Sequence, residues 1–163
     1  MNAIFKRKSI RKFQKRPVEN YKIDLILKAA MTAPSACNQQ PWEFYVIRER
    51  VKLLELSKIS PYAMSTKNAT VAIVNCYRND IEMPQYAEID LSACTENILL
   101  EAAEIGLGAV WLGVAPIKER MQLVREILGI PEHLQPFAII PIGYPANEAK
   151  QENRYDPSRV HYD

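Results

Sequence analysis

Only five glycines, three cysteines and two histidines occur in the 163 residues. Each scarcity removes a class of function. No G-x-G-x-x-G follows the first predicted strand, which argues against a dinucleotide-binding Rossmann unit. There is no GxxxxGK[ST] phosphate loop and no G-x-S-x-G nucleophile turn. Cys37, Cys76 and Cys94 are widely spaced, odd in number and without a CxxC pair, which argues against a disulfide framework and a zinc site. His133 and His161 are too few for a histidine-rich metal centre, and no metal is expected. No apolar run approaches the ~18 residues of a membrane span. A signal peptide needs an apolar core after its basic start, whereas charge here continues to Arg16. A presequence is also basic and acid-poor, but this segment runs straight into folded-looking sequence. The expectation is a reduced cytoplasmic protein, with no membrane partner.

Charge is nearly balanced, with 21 Lys+Arg against 19 Asp+Glu, yet it is unevenly placed. Lys6, Arg7, Lys8, Arg11, Lys12, Lys15 and Arg16 fall in the first 16 residues, where no acid occurs, and the remainder is net acidic. A general nucleic-acid binder would spread its basic groups over a face. An RNA module would also interleave exposed aromatics, and only Phe5 and Phe13 flank the cluster. No nucleic-acid partner is expected.

With 48% hydrophobic and 25% charged residues, the chain has the composition of one globular domain over residues 1–163. It alternates helical and strand patterns, α/β or α+β. Asn2 can cap a short first helix. Ile23, Ile26, Leu27 and Ala30 give a helical face over 18–31. WEFYVI (42–47), TVAIVNC (70–76), AVWLGV (109–114) and FAIIPI (137–142) read as strands, the second buried and central. Pro141 implies an edge or an irregularity in the last. The longest helix is predicted over 88–105, with Gly106 as its stop. Another is expected from Pro116 to Gly129. The polar tail from about 145 to 163 is either a loose end or an arm laid over something else.

Three segments can carry chemistry. Arg7, Ser9 and Arg11 alternate, so an extended backbone projects two guanidinium forks and a hydroxyl to one side, which suits a phosphate monoester; the plain alternative is a solvated basic terminus. The helix-to-strand connection APSACNQQPW (33–42) is rich in amide and hydroxyl side chains that can bond a polar heterocycle, or it is an ordinary turn. Cys37 has no base beside it and reads as a small filler. Gly108 and Gly113 bracket a strand and would permit close backbone approach to a ligand, packing being the alternative. In the tail, either Arg154 or Arg159 could complete a phosphate site by folding back.

RKSIRKF, APSACNQQPWEF, DLSACTENILLEAAEIGLG, GAVWLG, LGIPEHLQP and IGYP, in that order, resemble the short form of the nitroreductase family of flavin-dependent oxidoreductases. The resemblance runs along nearly the whole chain. It implies an α+β three-layer sandwich, with a mixed, mostly antiparallel sheet flanked by helices. It also implies an interlocked homodimer with two FMN sites at the subunit interface, the arm from about 145 to 163 packing on the partner. Arg7 and Ser9 match positions that hold the FMN phosphate and ribityl chain, with Lys8 contributing partly through backbone. Arg11 matches the basic position at the flavin pyrimidine edge. Pro34, Ser35, Asn38 and Gln40 match the loop that reaches the flavin of the partner subunit. Leu112 and Gly113 match the strand end whose N–H approaches flavin N5. Arg154 matches the C-terminal residue that closes on the phosphate, with Arg159 as the fallback, because the tail departs from the commoner pattern. Longer members carry a lysine and an asparagine before the central strand; Lys67 and Asn68 lie nearby out of register and are not carried over.

The activity so implied is ping-pong transfer of a hydride from NADH or NADPH, through flavin N5, to a nitroaromatic, quinone or similar acceptor, with no catalytic protein nucleophile. Two alternatives stand beside it. One is specialised flavin chemistry such as dehalogenation or flavin fragmentation, which usually needs a larger lid than 77–87 provides. The other is a flavin-binding redox sensor with little turnover.

Overall fold

In the computed structural model, residues 2–147 and 153–163 are described. The chain opens with α1 (Ala3–Lys6), a single turn capped by Asn2, whose Oδ1 accepts the Ile4 N–H at 3.1 Å. An extended stretch leads to α2 (Asn20–Met31), which buries Ile23, Ile26 and Ala30 at helical spacing. Then follow β1 (Trp42–Ile47), α3 (Arg50–Leu56), β2 (Val71–Arg78) and the long α4 (Ala87–Glu104). Two short strands, β3 (Gly108–Ala109) and β4 (Leu112–Gly113), precede α5 (Lys118–Leu128) and β5 (Leu134–Gly143). Gly129, at φ +65°, ends α5 in the left-handed conformation that glycine adopts without penalty. Pro116 follows a cis peptide and sits in the preceding turn, so α5 begins two residues after the proline rather than on it.

The sheet runs β1-β2-β5-β3, with β4 beside β3 on the same flank of β5. Every strand pair is antiparallel; an isolated parallel bridge joins Ser9 to Ala109 at the edge. β2 is interior, as its apolar run predicted. β5 is interior too, so Pro141 marks an irregularity and not an edge. The pairings of β3 and β4 with β5 share one register, and the gap between them places Val110 and Trp111 opposite Pro141 and Ile140. Proline has no N–H to give the ladder, so the predicted single strand over 109–114 is split there.

Alternation along the interior strands builds two cores. Val71 and Ile73 of β2 face α2 and α4, among Ile26, Leu91 and Ile98. Ala72, Val74 and Cys76 face α3 and α5, among Leu53, Leu56 and Val124. Helices therefore cover both faces, giving the expected three layers. No helix among the described residues is long and apolar enough to cross a membrane.

The basic N-terminal segment lies along the free edge of the sheet. Ile10 N–H donates to Ala109 O at 2.9 Å and Gln14 N–H to Tyr144 O at 2.8 Å; Ala146 N–H returns a bond to Lys12 O at 3.0 Å. Two glycines admit it. A Cβ on Gly108 would stand 2.6 Å from Ile10 Cβ, and one on Gly143 would meet the Phe13 ring at 3.0–3.2 Å. The close approach at Gly108 is thus to the chain's own Ile10, not to a ligand.

Candidate active site

An open cleft of about 710 Å³ forms where this strap, the split strand and the 60–68 turn converge. Arg11 and Lys12 enter from the strap, Trp111, Leu112 and Gly113 from the strand end, and Arg120 from α5. The 3-10 turn Ala63–Asn68 adds Met64, Ser65, Lys67 and Asn68, with Tyr62 at its start. Among the described residues, four cations line the cleft and no acidic side chain does. Lys67 and Asn68, out of register in sequence, are brought to the same cleft by this turn. Residue spacing could not have found them, because a short 3-10 turn leaves no hydrophobic period to follow.

The backbone at Gly113 is set for a ligand. Val114 N–H donates to Phe137 O on β5 at 3.1 Å, whereas Gly113 O accepts from Arg120 Nη1 at 3.2 Å. Bonding alternates along an antiparallel pair, so Leu112 belongs to the ladder with β5 and the Gly113 N–H faces away from it. The nearest atom to a Cβ on Gly113 would be Ala115 O, at 4.0 Å. The space in front of this residue is open, unlike that at Gly108. Ser65, 8% exposed, also lines the cleft, and its Oγ has no hydrogen-bond partner among the described residues. A flat polar heterocycle with an electron-rich edge fits these features: cations, an outward N–H, an unused hydroxyl and, among the described residues, no carboxylate to repel it.

The other residues singled out in the sequence lie elsewhere. Ser9 is exposed at the sheet edge beside Ala109. Arg7 Nε pairs with Glu96 on α4 at 3.2 Å. Lys8 lines a separate cavity of about 610 Å³ with Lys6, Gln14 and Tyr144. Arg154 is exposed in the tail, and Arg159 Nε bonds Asp156 Oδ2 at 3.1 Å. The start of the predicted arm stays with its own chain through Pro145 and Ala146; residues 148–152 lie outside the described part.

Pro34, Ser35, Asn38 and Gln40 gather on the connection between α2 and β1, where Pro34, Asn38 and Gln40 are exposed and Ser35 is half-buried. Cys37, Asn38 and Gln40 all have positive φ, 50°, 51° and 47°. Three non-glycine residues in that region cost about 1–3 kcal/mol each and persist only where surrounding bonds over-determine them. Those bonds centre on Asp90, 4% exposed in the first turn of α4. Its Oδ1 accepts the Ala36 N–H at 3.0 Å and its Oδ2 accepts Gln39 Nε2 at 2.7 Å. Gln39 also accepts the Met83 N–H at 3.0 Å and donates to Met83 O at 3.2 Å. Ser35 Oγ accepts the Gln40 N–H at 3.0 Å, and Arg78 donates to the carbonyls of Gln39 and Gln40. Asp90 was not singled out in the sequence, where it is one helical acid among several.

Cys76 and Cys94 are buried, which pushes both thiols up to about 12, far from nucleophilic use. The 77–87 segment offers even less chain for a lid than its length, since Tyr77 and Arg78 belong to β2 and 84–86 form a 3-10 turn.

Comparison with known proteins bears on this arrangement. The model of the nitroreductase family matches residues 4–144. A relative from Methanothermobacter thermautotrophicus, provisionally named an NADH dehydrogenase/NAD(P)H nitroreductase, is 44% identical over 99% of this chain and 85% of its own. A solved structure from Clostridium acetobutylicum, provisionally named an NADH oxidase, superposes with a TM-score of 0.95 at 44% identity, covering 98% of both chains. A structure described as an FMN-dependent nitroreductase from Clostridium difficile gives 0.92 at 34% identity, covering 99% of this chain and 98% of the other. A match along most of the chain, in sequence and in fold, settles the kinship: the chain belongs to the nitroreductase family.

Proposed function

We propose that this protein is an FMN-dependent oxidoreductase that uses NADH or NADPH to reduce a nitroaromatic, quinone or similar acceptor, donor and acceptor occupying one cleft in turn. The single observation that carries this reading is the cleft at Gly113, a residue whose backbone N–H is turned away from the sheet ladder, with four cations lining the same cleft and open space on its side-chain face. The bound cofactor supplies hydride acceptance and donation at N5. Gly113 is the better of the two strand-end candidates for the N–H that orients N5, because Leu112 is held in the ladder. Arg11, joined by Lys67, would neutralise charge gathering at the pyrimidine edge. Arg7, Ser9 and Lys8 would serve the phosphate and ribityl chain, with Arg7 turning from Glu96. Arg154, or Arg159 in its place, would close on the phosphate.

Pro34, Ser35, Asn38 and Gln40 would reach the second site of a cytoplasmic homodimer. Exposed apolar groups support such pairing: Phe5 on α1, Ile89 on α4 and Met31 on α2, with Tyr155 and Tyr162 in the tail. The tail from about 145 would pack on the partner. The test is anaerobic stopped-flow mixing of the purified yellow dimer with NADH and NADPH, then with a panel of acceptors. Bleaching by donor and recovery by acceptor are expected; colourless protein, or bleaching without acceptor turnover, refutes the enzyme reading.

A further inference from the structure

The cleft holds more positive charge than a flavin edge needs. With Arg11 and Lys67 assigned to the cofactor, Lys12 and Arg120 remain, and no acidic side chain among the described residues lines the space. None of these four cations forms an ion pair with another described residue. Arg120 is the one with a defined place. It sits in the first turn of α5, and its Nη1 is tied to Gly113 O at 3.2 Å. The guanidinium is therefore pinned beside the residue whose N–H faces the open cleft, with further N–H groups left over in the same plane. Tyr62, 76% exposed, and Met64, 48% exposed, present apolar surface on the wall formed by the 60–68 turn. An aromatic rim, a polarizable side chain and a fixed planar cation together match a flat ring that bears a carboxylate.

Resting on the flavin reading above, we infer that the preferred acceptor is an aromatic carboxylate. Arg120 grips its carboxylate by charge-assisted hydrogen bonds, Lys12 adds positive potential, and Tyr62 and Met64 flank the ring. The geometry favours the reacting ring over the nicotinamide donor as the owner of that anion. A dinucleotide holds its phosphates a ribose away from the reacting ring, whereas Arg120 stands at the strand end itself. Arginine suits the task better than lysine, since its fork meets both carboxylate oxygens and its charge survives desolvation.

The test uses the FMN-loaded protein and two unreactive probes of like shape, benzoate and benzamide, each titrated against the visible flavin spectrum. Benzoate is expected to bind at least about tenfold more tightly, with an advantage that shrinks as salt is raised. In Arg120→Gln the preference should fall below about threefold, and in Arg120→Lys it should be intermediate. 4-Nitrobenzoate and 4-nitrobenzamide then give the same comparison in kcat/KM, and the ratio between them should drop with the binding ratio. Equal binding of the two probes by the unaltered protein overturns the inference, as does a preference that survives Arg120→Gln. A yellow protein that NADH bleaches but that shows no preference refutes this inference alone. A protein that retains no flavin refutes the reading beneath it.

Discussion

Replacing Asp90 by alanine separates a residue that positions the 34–40 loop, proposed above to meet the flavin, from one that merely helps the chain fold. The substitution removes the acceptor for the Ala36 N–H at 3.0 Å and for Gln39 Nε2 at 2.7 Å. Hydrogen bonds to a charged group contribute about 1.5–3 kcal/mol each. Ala36 and Gln39 are half-buried, so water can take over part of that role, and a loss of about 2–4 kcal/mol is expected. The whole of it falls on the segment that holds Cys37, Asn38 and Gln40 at positive φ. Their strain, about 1–3 kcal/mol each, is then no longer over-determined, and the loop relaxes to ordinary backbone. Ser35 and Asn38 move with it.

Each 1.4 kcal/mol is about a tenfold change in binding, so FMN affinity should weaken by about 30–700-fold if the whole loss is carried into the flavin contact. The assay is fluorescence titration of the FMN-free protein with FMN, beside its thermal midpoint. Asp90→Asn should fall between, because its oxygen can still accept from Ala36 while its amide nitrogen opposes that of Gln39. If Asp90 acts only on global stability, the midpoint should drop by about 2–4 °C per kcal/mol while the folded protein binds FMN as before. That result would refute the positioning argument.

Arg11→Ala should lower the flavin reduction potential and slow hydride acceptance; an unchanged potential with FMN fully bound removes Arg11 from the pyrimidine edge. Gly108→Ala should cost about 1–3 kcal/mol in urea unfolding, because its Cβ would meet Ile10 at 2.6 Å, and it should shed FMN as the strap lifts. A thiol reagent should label exposed Cys37 in the native protein, and Cys76 and Cys94 only after denaturation. Glu19 is held down at about 2 by its own backbone N–H, then by the Tyr144 hydroxyl at 2.8 Å and by Arg16 at 2.9 Å. A depressed carboxyl contributes stability that is full above its ordinary value of 4.5 and fades as pH falls toward 2. Glu19→Gln should therefore flatten the acid limb of a denaturation curve between those values, and an unchanged limb counts against the contact.

What could be read in advance followed from whether an element's cause is local. α2 and β2 announce themselves, because burying one helical face, or both faces of an interior strand, fixes the pattern of apolar residues in place. The split between β3 and β4 was hidden, since its cause is Pro141, thirty residues further along and across the sheet. Gly108 reads in sequence as a ligand-facing glycine, and its actual neighbour is Ile10, brought there from the strap. Asp90 and Lys67 carry no local signal, as one is a helical acid and the other sits in a 3-10 turn. The N-terminal charge run is the sharpest case. Read as sequence, seven basic residues are one patch. The extended strap sends them to separate places: Lys6 to Glu104 at 3.8 Å, Arg7 to Glu96, Lys8 to the smaller cavity, and Arg11 and Lys12 to the cleft. Arg16 lies over the Tyr144 ring at 3.9 Å and bonds Glu19. The path from α1 along the sheet edge spreads out what composition groups together, and it parts Arg7 from Arg11 although their spacing predicts one side, so the cluster's net charge says little about its partner. Which neighbour each residue faces carries the chemical meaning, and that was settled by two glycines, Gly108 and Gly143, which leave room for the strap to lie down.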